Sequence, residues 1–219
     1  MKRFCVLFSI LFFGVVVYSQ DYSFNKNENG EYEFSEVVEN NLSKSTLFKN
    51  ATSWAMEYYK EDGFNNVVEY CSETEGRIII KYIDLILNDV EIKKGIRHFG
   101  KENLYYTLTI DCKDNKYRYI INDITIKKLA YFPLYGNDME YDMTHEKHID
   151  MIEAYKHEKD SLNSLLPNFK GKKLSKLQNQ IDEVEDKIKG ETEMYNNEYL
   201  VINRLINSLK KEMAKNSDF

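Results

Sequence analysis

The sequence predicts an α+β protein in which an antiparallel sheet is covered by helices and followed by a C-terminal helical extension. Three observations predict this class. Up to about residue 132 the chain is rich in Tyr, Ile and Val and alternates apolar with polar side chains, as strands with one buried face do. One early segment instead has apolar residues at helical spacing. From about residue 140 the chain is rich in Glu, Lys, Leu and Asn, with apolar residues at every seventh position.

The first 20 residues have the composition of a secretory signal peptide. Lys2 and Arg3 precede an apolar run over 4–17, and compact residues follow up to Ser19. A membrane anchor is the alternative, but this run is shorter than the roughly 20 apolar residues that a spanning helix needs. We therefore predict that 1–19 is a signal peptide and that the protein is exported to the periplasm, the cell envelope or the medium. We expect no membrane span after cleavage.

The net charge argues against nucleic acid as a partner. The chain has 30 Lys and Arg and 36 Asp and Glu. The leader contains two cations and no acid, so 28 cations remain against 36 acids, a net charge near −8. Nucleic-acid binding depends on a basic surface that neutralises phosphates. We therefore expect no nucleic-acid partner.

The elements of the first region follow from the chain in order. Residues 32–39 predict a strand, and the Ser-Lys-Ser-Thr sequence that starts at Ser43 is a capping-type start for a helix. That helix runs towards Gly63 with an apolar face made by Leu47, Ala51, Trp54, Ala55 and Tyr58. Strand-like segments then follow at 66–72, 77–87, 104–112 and 116–126.

The alternation in the third of these later segments separates a dry face from a wet face. The dry face comprises Leu104, Tyr106, Leu108, Ile110 and Cys112, and the wet face Tyr105, Thr107, Thr109 and Asp111. Asp114-Asn115 then predicts a hairpin turn. The predicted order is β-α-β-β-β-β, with a second covering helix over 138–166. Turn-rich connectors near Pro133 and Pro167 divide the chain into a domain over 22–166 and a helical extension over 170–219.

These segments resemble a known family. The Ser-Lys-Ser-Thr-Leu-Phe helix with Trp54, the strand around 78–81 and the hairpin over 106–118 are similar to an exported bacterial family of unknown function with a TATA-binding-protein-like (TBP-like) fold, found mostly in Bacteroidetes. The resemblance covers roughly 30–130. It implies a curved antiparallel sheet with helices on one side, and it implies neither a catalytic residue nor DNA binding. The tail departs from the usual pattern of the family.

The tail has a heptad pattern that is continuous on one side only. Its apolar positions are Leu174, Ile181, Ile188, Tyr195, Ile202 and Leu209, with Leu177, Val184 and Leu205 at the companion positions. Glu191, Glu198 and Glu212 stand where further apolar companions would be expected. Gly190 also weakens a helix there by about 1 kcal/mol relative to Ala. Both one coiled-coil-like rod and a hairpin of two helices, at about 172–189 and 191–215, are compatible with the pattern.

An apolar stripe of this kind is either core or a contact surface for another protein. We hypothesise that the protein is a non-catalytic binding or assembly module that contacts an envelope protein, or a second copy of itself, through this stripe. The interaction residues under this hypothesis are Leu174, Leu177, Ile181, Val184, Ile188, Ile202, Leu205 and Leu209.

The stretch MTHEKH contains His145 and His148, which share one face of a helix. Zinc proteases carry His-Glu-x-x-His, and the spacing here is one residue short. His157 lies nine residues beyond His148, on the opposite side of a helix. We therefore expect a solvated first helical turn, capped by Asp142 or Thr144, without a metal or other cofactor. If a metal is bound, His145 and His148 are the candidate ligands.

Motifs for catalysis are absent from the sequence, so we do not expect an enzyme. It has no Gly-rich phosphate loop, no Gly-x-Ser-x-Gly and no Cys-x-x-Cys. Asp84 lies within a long apolar segment, where it is either a buried acid or marks an edge or a bulge. Cys71 and Cys112 are a possible disulfide in an exported protein, and packed thiols are the alternative.

The alternative function is binding of a small ligand, either a glycan or peptide on the exposed sheet face or a metal at the histidines of 143–157. The wet face carries Tyr105, Thr107 and Thr109, and we expect Tyr117 and Tyr119 of the last hairpin to add to it. Exposed aromatic side chains offer a large contact area with little entropy to lose. They are also ordinary strand formers.

Overall fold

The structure is a computed structural model that describes residues 26–93, 96–132 and 137–216. The predicted leader, 1–19, lies outside the described residues. The strands are β1 (Phe34–Glu39), β2 (Val68–Ser72), β3 (Arg77–Lys93), β4 (Ile96–Lys113), β5 (Lys116–Phe132) and β6 (Asn137–Met143). The helices are α1 (Lys44–Tyr58), the short α2 (Phe64–Val67), α3 (His145–Leu165) and α4 (Lys172–Met213), with a 3-10 turn (Leu166–Asn168) between the last two. This order confirms the predicted fold class.

The strands form one antiparallel sheet in the order β1-β5-β4-β3-β2. β4 pairs with β5 along most of its length, so β1 and β6 share the other edge of β5. The Asp114-Asn115 turn is confirmed, because Lys113 lies opposite Lys116 and Asn115 has a positive φ of 65°. β6 was not expected, and its polar sequence becomes a strand only by pairing with β5.

The dry face predicted for β4 is confirmed, whereas Thr107 of the predicted wet face is buried, next to an irregularity in the pairing with β5. Its apolar set, from Leu104 to Cys112, is at most 2 % exposed and faces the helices. Tyr117 and Tyr119, however, were wrongly placed on the wet face. They lie opposite Cys112 and Ile110, and directly opposed residues of an antiparallel pair share a face, so both tyrosines are buried.

The core lies between the sheet and two helices, α1 and the second half of α4. The predicted apolar face of α1 is buried, from Leu47 to Ala55, although α1 ends at Tyr58 rather than near Gly63. The side chain of Ser43 caps its first turn. The core residues that α4 contributes are Ile202, Leu205, Ile206, Leu209 and Met213. Trp54 Nε1 also donates a hydrogen bond to Ser208 Oγ at 2.9 Å, which fixes the two helices together.

α4 is one continuous helix of 42 residues, so the tail is neither broken at Gly190 nor made of two helices. It runs back along α3, and these two helices form an antiparallel pair that we call the α3–α4 hairpin. Six of the eight predicted interaction residues are buried in this chain: Leu177, Ile181, Val184, Ile202, Leu205 and Leu209. Ile188 is half-buried and Leu174 is 38 % exposed. The stripe therefore packs against α3 and the sheet, which leaves most of it inaccessible to another protein.

The division into a domain over 22–166 and an extension over 170–219 does not describe this packing. The chain does reverse between α3 and α4, as the connector near Pro167 predicts. The second half of α4 nevertheless belongs to the same apolar cluster as α1 and the sheet. The second half of α4 is thus part of the core, although the sequence predicts it as a separate extension.

The possible Cys71–Cys112 disulfide is not formed, and both thiols are free. Cys71 lies opposite Ile78 of β3, which lies opposite Ile110 of β4. Two strand spacings, about 9–10 Å, separate Cys71 from Ile110, and Cys112 lies two residues further along β4. Bridged cysteines need Cα atoms within about 7 Å. Burial among apolar side chains raises the pKa of the Cys112 thiol to about 12, as suits a packed thiol.

Candidate metal centre

His148 lies inside the protein although the sequence around it is polar. Thr144 is the N-cap of α3, and its hydroxyl accepts a hydrogen bond from the Lys147 backbone N–H. The first turn is therefore capped as expected, with Lys147 exposed to solvent. β6 ends at Met143, opposite Ile126 of β5, and this pairing places the start of α3 against the sheet. The expected solvated turn is thus wrong for His148, whose side chain is fully buried.

Three carboxylates surround the imidazole of His148. Glu102 is on β4, two residues before Leu104, so it points to the same covered face. Glu191 and Glu198 are seven residues apart on α4, about two helical turns, and both face inward. Glu102 and Glu198 are fully buried, and Glu191 is nearly so. We call these four residues the His148 cluster.

The geometry of the cluster gives each imidazole nitrogen its own partners. His148 Nδ1 lies 2.7 Å from Glu191 Oε2, a hydrogen bond. Nε2 lies 3.0 Å from Glu198 Oε1 and 3.4 Å from Glu102 Oε1, both ion-pair distances without hydrogen-bond geometry. The ammonium of Lys128, on β5 opposite Glu102, lies 3.7 Å from Glu191 Oε1.

The carboxylates control the protonation of the cluster. Burial by itself lowers the pKa of His148, but the contacts with Glu102, Glu191 and Glu198 outweigh it and raise this pKa to about 11. Burial by itself raises the pKa of Glu191, but the hydrogen bond with His148 and the charge of Lys128 hold this pKa below its ordinary value. Glu191 is therefore a carboxylate that accepts, and His148 Nδ1 is the donor.

Glu102 is the residue that this network leaves unsatisfied. Neither of its carboxylate oxygens accepts a hydrogen bond within the described part of the chain, although the side chain is fully buried. Such a group is rare in a folded protein, because burying it without partners is costly. One oxygen each from Glu102 and Glu198 and one nitrogen of His148 lie within 4.8 Å of one another, so these three residues could hold a metal ion.

The other candidate residues lie elsewhere. The side chain of His145 lies outside the described residues, and His157 is exposed. Asp84 is half-buried in β3, beyond the segment that pairs with β2, and Tyr106 O–H donates to its carboxylate at 3.0 Å. Burial raises the pKa of Asp84. It therefore combines both alternatives, a strand edge and a partly buried acid.

The opposite face of the sheet carries exposed apolar side chains. Ile83, Leu85 and Leu87 alternate along β3 and are 48–64 % exposed. Tyr105 lies opposite Ile83, beneath the ammonium of Lys127. This face is the one on which the sequence predicts glycan or peptide binding.

Sequence reasoning missed Glu102, Glu191 and Glu198 as partners of His148. A signal was present for two of them, because Glu191 and Glu198 interrupt the apolar companion positions of the tail. An acid at a buried helical position needs a buried partner. No comparable signal marks Glu102, since only the pairing of the strands shows which face it occupies.

The fold and the site together define the class of this protein. It is an α+β protein with a six-stranded antiparallel sheet, helices on one face and a buried His–carboxylate cluster beneath the α3–α4 hairpin. Residues 34–127 match the model of the family described as a domain of unknown function (DUF4468) with TBP-like fold. The resemblance that the sequence predicts is thereby confirmed. Glu102 lies within the matched residues, and the other three cluster residues lie beyond them.

Two solved structures from Bacteroidetes are similar to the chain. A DUF4468 family protein from Bacteroides ovatus has a TM-score of 0.52 at 12 % identity, with 90 % of this chain and 93 % of that chain covered. A TBP-like protein from Parabacteroides distasonis has a TM-score of 0.46 at 17 % identity, with 85 % and 95 % covered. None of the curated proteins compared with the chain matches it. Over the described ranges, none of the helices has both the length and the apolar character to cross a membrane.

Proposed function

We propose that this protein is an exported, non-catalytic binding module whose ligand is a divalent transition-metal cation held by Glu102, His148 and Glu198. The observation that carries the proposal is the fully buried Glu102 carboxylate, which faces His148 Nε2 without a hydrogen bond from a described residue. A cation among the three residues would supply the missing partner.

The distances in the cluster fit a metal polyhedron. Zinc binds nitrogen and oxygen ligands at roughly 2.0–2.2 Å. Two ligand atoms on one such ion are then roughly 3.0 Å apart at a right angle and roughly 3.4 Å apart at a tetrahedral angle. The Nε2 distances to Glu198 and Glu102 are 3.0 and 3.4 Å. The two distances that involve the imidazole therefore match those between ligand atoms of one ion, and the carboxylate oxygens of Glu102 and Glu198 lie within 4.8 Å of each other.

The types of ligand favour a particular class of cation. Imidazole suits Zn²⁺, Fe²⁺, Ni²⁺ and Cu²⁺, whereas carboxylates also suit Mn²⁺, Mg²⁺ and Ca²⁺. One imidazole and two carboxylates together favour Zn²⁺, Mn²⁺ or Fe²⁺ over Mg²⁺ and Ca²⁺. The hydrogen bond from Nδ1 to Glu191 supports the proposal, because a carboxylate on the far nitrogen orients most metal-binding histidines.

The formal charges also favour a cation. Glu102, Glu191 and Glu198 count as three negative charges and Lys128 as one positive charge. Over these side chains, a protonated His148 gives a formal sum of one negative charge, whereas a divalent cation with neutral His148 brings the sum to zero. Uncompensated charge in a protein interior is strongly unfavourable.

A cavity of about 460 Å³ between α3 and α4 reaches Glu191 and Lys128. Side chains of both charges line it, among them Asp186 and Lys187. The full burial of Glu102, His148 and Glu198 supports binding rather than catalysis, because a catalytic metal keeps a position open to substrate.

Metal titration of the mature chain, residues 20–219 without an affinity tag, tests the proposal. We expect isothermal titration calorimetry after chelation to show one Zn²⁺ or Mn²⁺ per chain, and we expect the ion to raise the melting temperature. Glu198→Gln should weaken binding at least tenfold, whereas Glu183→Gln, an exposed change on the same helix, should not. An equal response of both variants, or no binding by the parent chain, would contradict the proposal.

Assembly through the C-terminal helices remains a second candidate function, at a different surface from the buried stripe. Leu165 and Leu174 lie on either side of the connection between α3 and α4 and are 42 % and 38 % exposed. We expect the change of both leucines to Ser to abolish capture of an envelope protein, or self-association in light scattering, without unfolding the chain. Unchanged behaviour in both assays would exclude this surface.

A further inference from the structure

The three candidate ligands belong to three different elements of the fold. Glu102 is part of β4, His148 is in the first turn of α3, and Glu198 is near the middle of α4. α3 packs chiefly on α4. Besides β6 and Met151, which packs against the core cluster, the contact between His148 and Glu102 links α3 to the sheet.

The two halves of α4 are supported differently. Its second half, from Ile202 to Met213, is part of the core. Its first half, with Leu177, Ile181 and Val184, lies outside that cluster and packs along α3. Glu191 and Glu198 lie between these halves, so the His148 cluster occupies the junction of the α3–α4 hairpin with the rest of the molecule.

The net charge at this junction depends on whether a proton, a divalent cation or neither is bound there. Without a cation and with neutral His148, the three carboxylates Glu102, Glu191 and Glu198 meet at this junction, and the ammonium of Lys128 lies 3.7 Å from Glu191 Oε1. Proton binding to His148 leaves a formal sum of one negative charge over these five side chains. Water entering the junction relieves this charge, whereas a divalent cation removes it and bonds β4, α3 and α4 to one centre.

We propose that cation occupancy of the His148 cluster controls docking of the start of α3 and the middle of α4 on the sheet, as a metal-dependent latch. This inference rests on the proposed metal binding. It assigns the bound cation a regulatory role, since docking sets how far the α3–α4 hairpin is exposed. The core half of α4 stays in place in both states because its apolar side chains pack independently of the cluster.

Hydrogen exchange of the full mature chain, read by mass spectrometry, tests the latch. We compare protein in EDTA with protein in Zn²⁺ and in Mn²⁺. Peptides covering 144–152 and 188–198 should exchange at least tenfold faster without the cation. Peptides covering 203–213 and α1 should not change, and they are the internal control.

A charge-neutral variant makes the test specific. In the double variant Glu102→Gln, Glu198→Gln, amide groups replace two of the three buried carboxylates, and Lys128 balances the charge of Glu191 that remains. Its exchange over 144–152 should be slow and the same in EDTA and in Zn²⁺. A double variant as fast as the parent in EDTA would overturn the charge argument.

The outcomes separate the latch from the proposed function. If the parent chain binds Zn²⁺ or Mn²⁺ in calorimetry while its exchange does not change, the latch is wrong and metal binding stands. If calorimetry detects no binding of either ion, the proposed function fails and the latch fails with it.

Discussion

The hydrogen bond between His148 Nδ1 and Glu191 decides what the other imidazole nitrogen can do. Because Nδ1 donates to Glu191, Nε2 is the atom left to face Glu102 and Glu198. It can carry a proton or coordinate a cation, but not both. Protonation of Nε2 and coordination of a cation by Nε2 are therefore mutually exclusive.

Glu102→Gln should stabilise the protein in the absence of metal. The substitution removes a buried carboxylate that accepts no hydrogen bond within the described residues, and it supplies an amide of the same shape. We expect the free energy of unfolding in urea and EDTA to rise by about 1–3 kcal/mol. The exposed change Glu183→Gln should stay within about 0.5 kcal/mol. A loss of stability in Glu102→Gln would mean that this carboxylate is needed where it is.

A second prediction concerns pH and a cluster on the other end of the sheet. Asp111 of β4 lies between two guanidinium groups, with Arg77 and Arg118 each 2.6 Å from its oxygens. Burial by itself raises the pKa of Asp111, but these arginines outweigh it and hold the pKa below the ordinary 3.8. A carboxyl whose pKa is lower in the folded state stabilises the fold above its unfolded pKa. That stabilisation is lost as the pH falls through the folded pKa.

Asp111→Asn should therefore cost stability at neutral pH and little in strong acid. Both arginines are partly exposed, so we expect the cost at pH 7 to be about 1 kcal/mol. The difference in unfolding free energy between parent and variant should be constant down to about pH 5 and should shrink below about pH 4. Urea titrations across that range measure it, and a difference that grows in acid would contradict the assignment.

At the scale of elements, the heptad positions of α4 include both buried and exposed residues, and the sequence does not distinguish them. Leu205 is fully buried against the sheet, and Leu174 is 38 % exposed near the start of the helix. Leu205→Ala should cost about 2–5 kcal/mol of unfolding free energy, as large-to-small changes in a core do. Leu174→Ala should cost less than about 1 kcal/mol. Similar costs for both, measured by urea denaturation, would contradict the packing of α4 on the core.

The other elements show which features depend on the local sequence pattern and which depend on tertiary pairing. The dry face of β4 and the capped apolar face of α1 could be predicted from the sequence, because each depends on residues close in sequence. β6 could not be predicted from the sequence, since the polar run from Asn137 to Met143 is a strand only because it pairs with β5. The continuity of α4 through Gly190 was left open for the same reason, as α3 and the core support it from both sides.

At the scale of the whole molecule, the tail is required for folding. A chain that ends at residue 168 lacks the five core residues that α4 contributes, and it exposes the apolar face of α1. We expect this truncated chain to show no cooperative unfolding and to lose its near-ultraviolet circular dichroism signal. Cooperative unfolding with a native-like spectrum would show that the first region is an independent domain, as the sequence predicts.

The sequence by itself determined the class of fold, the order of the first strands and the helix between them, and the turn at Asp114-Asn115, because these depend on local periodicity and turn chemistry. It also marked Glu191 and Glu198 as unexpected in an apolar stripe. The tertiary structure decided that this stripe is mostly core and that His148 is buried. It alone brought Glu102 to the imidazole, because contacts between residues 46 and more positions apart depend on strand register and helix docking, which no local pattern contains.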